Sequence, residues 1–159
     1  MNKQARLALT LLIAAALPAV AGPGAPGHSH SHGFSAGEPG DPNKPARVVH
    51  VAMREAGRKM LFSPDRVEVR KGEQIRFVIE NEGIYDHEFV LATRADNSKH
   101  AKLMKKYPEM EHDDPNAKRV APYTLGEIVW RFTKPGAFEF ACLIPGHREA
   151  GMSGKVVVK

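Results

Sequence analysis

The sequence predicts an all-β sandwich of one domain, and three observations carry that prediction. Between residues 47 and 159, apolar residues alternate with polar ones in short runs such as Ile75, Phe77 and Ile79, or Ile128, Trp130 and Phe132. That is the period of a strand with one buried face. The runs are separated by turn formers: Ser63, Pro64 and Asp65, then Lys71 and Gly72, then Lys134, Pro135 and Gly136. Finally, about 110 residues suit one sandwich and leave no room for a second domain.

Residues 1–21 are expected to be a secretory signal peptide. Lys3 and Arg6 precede an apolar run over residues 7–17, and Ala19, Val20 and Ala21 satisfy the small-x-small cleavage rule. The run is shorter than the roughly 20 residues that cross a bilayer. The mature chain is therefore expected in the periplasm without a membrane span. Losing Lys3 and Arg6 lowers the formal charge from +5 to +3, too mild a charge to imply a nucleic-acid partner.

Residues 22–45 are rich in proline and glycine and nearly free of large apolar side chains, so they are expected to form a flexible arm. His28, His30 and His32 alternate there with serines, a tract that binds borderline divalent metal when the imidazoles are neutral. Purification tags are usually unbroken histidine runs at a terminus, which this is not. Ordering the chain opposes such binding, so it should be weak.

The domain proper, residues 46–159, opens with Val48, His50 and Ala52 interleaved with Val49, Val51 and Met53. Apolar residues on both faces predict a strand at a sheet centre or beneath the arm, with His50 structural. Val67 and Val69 mark a second strand, and Ile75, Phe77 and Ile79 a longer one. Residues 94–122 break the alternation and read as an insert, with a short helix over residues 101–107 ended by Pro108. His100 and Met104 stand four apart and would share a helix face. Met110 and His112 flank Glu111. The structural reading has Met104 packing the helix onto the sandwich; the functional one is a second site for a soft metal ion.

Phe138, Phe140 and Cys142 alternate into a loop, and Val156 and Val158 leave it. Cys142, His147 and Met152 follow the spacing C-x4-H-x4-M, and Cys142 is the only cysteine in the chain. Thiolate, imidazole and thioether form a soft donor set that suits copper better than magnesium, calcium or manganese. A blue-copper site also takes a second histidine, and His87, where the turn-like NEG segment gives way to the strand-like residues 88–93, is the best candidate. Taken singly, the cysteine reads as a small buried hydrophobe or a reactive thiol, and the methionine as packing. Taken together these readings are weaker, because an exported free thiol is oxidised unless buried or metal-bound. Zinc would accept the cysteine and histidines but is poorly served by methionine.

With the histidine of DHEFVL, the strand FEFAC, the loop LIPGHREAGM and the closing strand GKVVV, the chain resembles the cupredoxins, the superfamily of plastocyanin, azurin and pseudoazurin. Together with Met110, Glu111 and His112 it most resembles the periplasmic copper-resistance cupredoxins of Gram-negative bacteria. The resemblance covers roughly residues 47–159. It implies a cupredoxin-like Greek-key β-sandwich and one type 1 copper ion on His87, Cys142, His147 and Met152. It also implies cycling between copper(I) and copper(II) and a role in copper handling or tolerance. The position after the first histidine, often Asn or Ser in the superfamily, is Glu88.

Copper handling is further favoured by candidate secondary copper ligands: His28, His30 and His32 in the arm, and His100, Met104, Met110 and His112 in the insert. The alternative is a dedicated electron carrier that docks through Leu143, Ile144, Pro145 and Gly146 beside His147. A multicopper oxidase or nitrite reductase domain would couple the cysteine to another copper centre through neighbouring histidines. Ala141 and Leu143 occupy those positions, so no enzymatic activity is expected. A dinuclear purple site would need a second cysteine. The expected partners are copper ions and a periplasmic redox or copper-trafficking protein, and the chain is expected to be a monomer.

Overall fold

The computed structural model describes residues 33–108 and 114–159. The expected signal peptide, His28, His30, His32, Met110 and His112 lie outside the described residues. Among those described, the chain runs β1 (Glu38–Pro39), β2 (Arg47–Ala56), β3 (Lys59–Ser63), β4 (Arg66–Val69), β5 (Gln74–Asn81), β6 (His87–Ala92) and α1 (Arg94–Lys106). It continues through β7 (Ala117–Val120), β8 (Leu125–Arg131), β9 (Gly136–Ala141) and β10 (Ser153–Val158).

Two mixed five-stranded sheets face each other, in the orders β1-β8-β5-β2-β3 and β4-β10-β9-β6-β7. The β2–β5 and β10–β4 pairs are parallel and the rest antiparallel. The aromatic rows meet between the sheets. Phe89 stacks on Phe140 with centroids 5.0 Å apart, and Phe62 packs edge-on against Phe140 at 5.1 Å. Ile75, Phe77, Ile79, Trp130 and Phe132 close the core from the facing sheet. Each such side chain contributes about 1.5–3 kcal/mol by leaving water.

The structure departs from expectation at three places. In β2 only Val49, Val51 and Met53 are buried, while Val48 and His50 are exposed. Among the described residues nothing covers Val48 and His50 on the outer face of β2, so alternation wins over the two-faced reading.

The arm is docked from Phe34 onward rather than flexible through Pro45. Phe34 packs edge-on against Trp130 at 5.2 Å, Ala36 is fully buried, and Trp130 Nε1 donates to the Ala36 carbonyl at 3.2 Å. β1 then pairs with β8, and Asp41 N–H donates to Gln74 Oε1 at 2.9 Å. The apolar anchor is one aromatic and one alanine, too sparse to register as a composition.

The insert differs as well, because α1 begins at Arg94 and β7 follows it. Thr93 caps the helix: its Oγ1 accepts from Asp96 N–H at 3.1 Å and donates to Asp96 Oδ2 at 2.6 Å. Asp96 in the first turn and Lys105 and Lys106 in the last complement the helix dipole. Met104 is buried with Val90, Ala141 and Leu143, so it packs α1 onto the outer face of β6 and β9. β7 joins the sheet edge against β6, with Val120 opposite His87. Among the described residues, no helix is long and apolar enough to cross a membrane.

Candidate metal centre

Three donors converge at one end of the sandwich. β6 and β9 are antiparallel neighbours, with Val90 opposite Ala141, which brings the start of β6 near the end of β9. Cys142 leaves β9 into a loop that returns as β10, and the loop closes where Cys142 N–H donates to the Met152 carbonyl at 3.1 Å. Within it, His147 N–H donates to Ile144 O at 3.0 Å and Met152 N–H to His147 O at 3.1 Å. Gly146 (φ 93°) and Gly151 (φ 103°) supply left-handed backbone that side chains disfavour, and so fold the loop tightly.

The result is a cluster in which one nitrogen of His87, one of His147 and the sulfur of Cys142 all lie within 4.8 Å of one another. His87 Nδ1 faces His147 Nδ1 at 3.1 Å, and Cys142 Sγ lies 3.3 Å from His147 Nδ1. His87 and Cys142 are fully buried, whereas His147 is half-buried. Met152, also fully buried, ends the same loop. Three of the residues expected as ligands, His87, Cys142 and His147, are thus brought together, and Met152 follows at the end of the loop. His100 lines a separate cavity of about 360 Å³ between α1, residues 33–35 and residues 114–117. Met104 lies in the apolar contact described above.

The surroundings tune these groups. Burial pushes the Cys142 thiol up to about 12 in the metal-free protein, against the hydrogen bonds offered by Glu88 and Ile144. Burial, then the neighbouring His87, holds the His147 imidazole below its usual range, so it is neutral and free to donate a lone pair. The Glu88 backbone N–H donates to Cys142 Sγ at 3.3 Å. Because the backbone makes this bond, it survives the departure from Asn or Ser at position 88. The Glu88 side chain is itself buried, and burial raises its pKa against the pull of Arg119 and a hydrogen bond from Leu143 N–H. Its Oε2 has no hydrogen-bond partner.

Sequence reasoning missed two supports. Asn81, fully buried, donates to Tyr85 O at 2.8 Å and Val120 O at 2.9 Å and accepts from Gly83 N–H at 2.9 Å, which fixes the turn before His87. The NEG turn pattern was the available signal. Glu55 Oε1 accepts from His87 Nε2 at 2.9 Å, and its carboxylate also takes N–H donors from Ile84 at 3.2 Å and Tyr85 at 3.4 Å. Burial disfavours that charge, but the hydrogen bonds, led by Ile84, outweigh it and hold the carboxyl below its usual range. Nothing in the sequence flags this residue. Leu143, expected in a docking patch, is buried at 2 % exposure beneath α1, leaving Pro145 and Gly146 exposed and Ile144 half-buried.

A mixed β-sandwich with a buried thiol and two imidazoles at one end has the donor chemistry of a copper protein. The plastocyanin/azurin family of copper-binding proteins matches residues 49–159. The chain belongs to that family, and its cofactor is copper. It is 53% identical over 132 residues to the copper-resistant cuproprotein CopI of Rubrivivax gelatinosus, covering 83% of this chain and 78% of that one. It is 34% identical over 160 residues to the CopI of Pseudomonas aeruginosa, covering 82% and 86%. Reduced auracyanin from Roseiflexus castenholzii shares the fold, with a TM-score of 0.60 and 19% identity over 73% of this chain and 99% of that one.

Proposed function

We propose that His87, Cys142 and His147 hold one type 1 copper ion, with Met152 as a weak axial ligand, and that the chain uses it for copper tolerance in the periplasm. The observation that carries this is the three-donor cluster at one end of the sandwich, in a chain whose relatives bear the name of copper-resistant cuproproteins. Bound copper would supply one-electron chemistry between copper(I) and copper(II). The protein's part is to hold the donors in place and shield His87 and Cys142 from water, and copper binding would displace the Cys142 proton. No catalytic role is proposed, since Ala141 and Leu143 flank Cys142 with apolar groups that relay nothing to a second centre.

Further copper capture by His28, His30, His32, His100, Met110 and His112 belongs to the same proposal. Gly33, His100 and Asp114 line one cavity, so both stretches carrying the remaining histidines join the described fold at its rim. Met104 is left to packing.

Growth of a deletion strain on copper, compared with its respiration, tests the role. Sensitivity to copper with normal respiration supports tolerance; a respiratory defect at normal copper resistance supports the electron carrier. Counting copper bound by the full chain and by one starting at Gly33, in each oxidation state, tests the extra ligands. One copper in every case would remove them.

A further inference from the structure

The geometry points to Glu55 as a positioning residue for the copper site: its carboxylate fixes the tautomer of His87 and biases the bound ion toward copper(II). This rests on the copper reading above and concerns a residue to which that reading gives no part.

The placement follows from strand register. β2 and β5 run parallel, with Met53 opposite Asn81, so both strands emerge at the same end of the sandwich. Glu82 N–H donates to Met53 O at 2.9 Å, which carries the pairing one residue further. Glu55, two residues past Met53, therefore stands beside the turn over residues 82–86 that delivers His87. There its carboxylate gathers three N–H donors: Ile84, Tyr85 and His87 Nε2. The turn is shaped to admit it. A Cβ on Gly83 would lie 2.7 Å from the Glu55 carboxyl carbon, closer than real contacts allow.

The chemistry of that hydrogen bond is directional. A carboxylate only accepts, so Nε2 must carry the proton and Nδ1 must present its lone pair, toward His147 and the cluster. An acceptor on the far nitrogen orients a ligating imidazole and raises its basicity. A more basic imidazole and a negative charge behind it favour the harder, more positive copper(II) over copper(I). His87 is fully buried and Glu55 is 18% exposed, so water screens the pair little. A loop anchor alone would need the two backbone donors and not the imidazole.

The test uses the mature protein with Glu55→Gln, which keeps an oxygen for Nε2 but removes the charge, and with Glu55→Ala, which removes both. Copper(II) affinity should fall about tenfold or more in each, as outer-shell partners of ligating histidines typically show. A tenfold loss confined to copper(II) raises the reduction potential by about 59 mV for a one-electron couple. In the copper(I) protein the His87 Nε2 proton should move upfield and exchange faster with water. A wild-type potential and an unchanged Nε2 proton in both variants would overturn the assignment. Should either variant fail to fold, nitrogen shifts of His87 in the metal-free wild type decide instead. A proton on Nε2 supports the proposal and one on Nδ1 refutes it. Failure of the copper site itself would appear separately, as a wild type without a thiolate-to-copper band.

Discussion

The Arg148 guanidinium grips the Glu139 carboxylate through Nη2, 3.0 and 2.9 Å from its two oxygens, and so clamps the residue after His147 onto β9. Arg148 Nη1 reaches Ser98 Oγ on α1 at 3.3 Å, and Asn97 Nδ2 on the same helix donates to Glu139 Oε2 at 3.1 Å. The side chains are only 23% and 14% exposed, so this pair is more than a surface contact. Arg148→Ala should cost about 2 kcal/mol of stability, the scale of a hydrogen bond to a charged group. It should also speed copper release, because His147 loses its neighbour's anchor. A double-mutant cycle with Glu139→Gln, read by denaturant unfolding, should return a coupling of about 0.5–3 kcal/mol; a coupling near zero would show that the clamp does not hold the loop.

The ligands separate by variant. Copper(II) added to the wild type should give an intense visible thiolate-to-copper band, which Cys142→Ser should abolish. Met152→Leu should keep the band and raise the potential, since it removes an axial thioether without touching the three trigonal donors. Retention of the colour in Cys142→Ser would mean that the thiolate is not a ligand.

Local chemistry made much of this centre legible in the sequence. Cys142, His147 and Met152 lie on one loop, so their spacing and soft donor chemistry mark them as candidate ligands, and the buried aromatic rows follow from a period of two. Supports that depend on register were not legible. Glu55 and His87 are 32 residues apart in sequence and meet only because β2 pairs in parallel with β5. Phe34 and Ala36 reach Trp130, 94 residues beyond Ala36, where β1 pairs with β8. The start of α1 could have been read from Thr93 and Asp96, three residues apart, as a capping pair. β7, with the sequence AKRV, shows too little alternation to be seen before its partner β6 is known.

In the metal-free protein the contributions of His147 and Cys142 to stability are both complete between about pH 6.5 and 9. His147 is held below its usual value of 6.5, so between its folded value and 6.5 the unfolded chain binds more protons. Its contribution is complete above 6.5 and is lost as the pH falls through the folded value. Cys142 is raised from 9.0 to about 12, so its contribution is complete below 9 and lost as the pH rises toward 12. The lowered Glu55 acts only below 4.5, outside both windows, whereas the raised Glu88 contributes below 4.5 and loses that contribution as the pH rises through its folded value. Melting temperature against pH checks this: His147→Gln should flatten the acid limb and Cys142→Ser the alkaline one. Two limbs that persist unchanged in these variants would assign the pH dependence elsewhere.

The docked segment should matter to the core. Phe34→Ala removes an edge-to-face partner of Trp130 and should cost about 2 kcal/mol, the lower part of the range for an aromatic leaving a packed site. Starting the chain at Pro45 removes β1 and the Ala36 carbonyl as well, so Trp130 Nε1 loses its acceptor. Tryptophan fluorescence should then shift to the red, as the ring meets water, and the melting temperature should fall further than in Phe34→Ala. Identical fluorescence in the shortened and full chains would show that residues 33–44 do not cover the ring.

Gly83 offers a way to disturb His87 without changing any residue that touches it. It is buried in the turn before β6, its N–H held by Asn81 Oδ1 at 2.9 Å, so the backbone cannot retreat without breaking that bond. A Cβ there would press on the Glu55 carboxylate, 2.7 Å from its carbon and nearer still to both oxygens. The carboxylate ends a flexible side chain and should yield before the turn does, swinging off His87 Nε2 and abandoning Ile84 and Tyr85. Gly83→Ala should therefore reproduce the copper phenotype of Glu55→Ala, weaker copper(II) binding by about tenfold and a raised potential. Combining the two should add little, because the second change removes a group that the first has already displaced. Isothermal titration with copper(II) and voltammetry on the single and double variants measure both effects. Fully additive losses would mean that Gly83 acts on the site by a route other than Glu55.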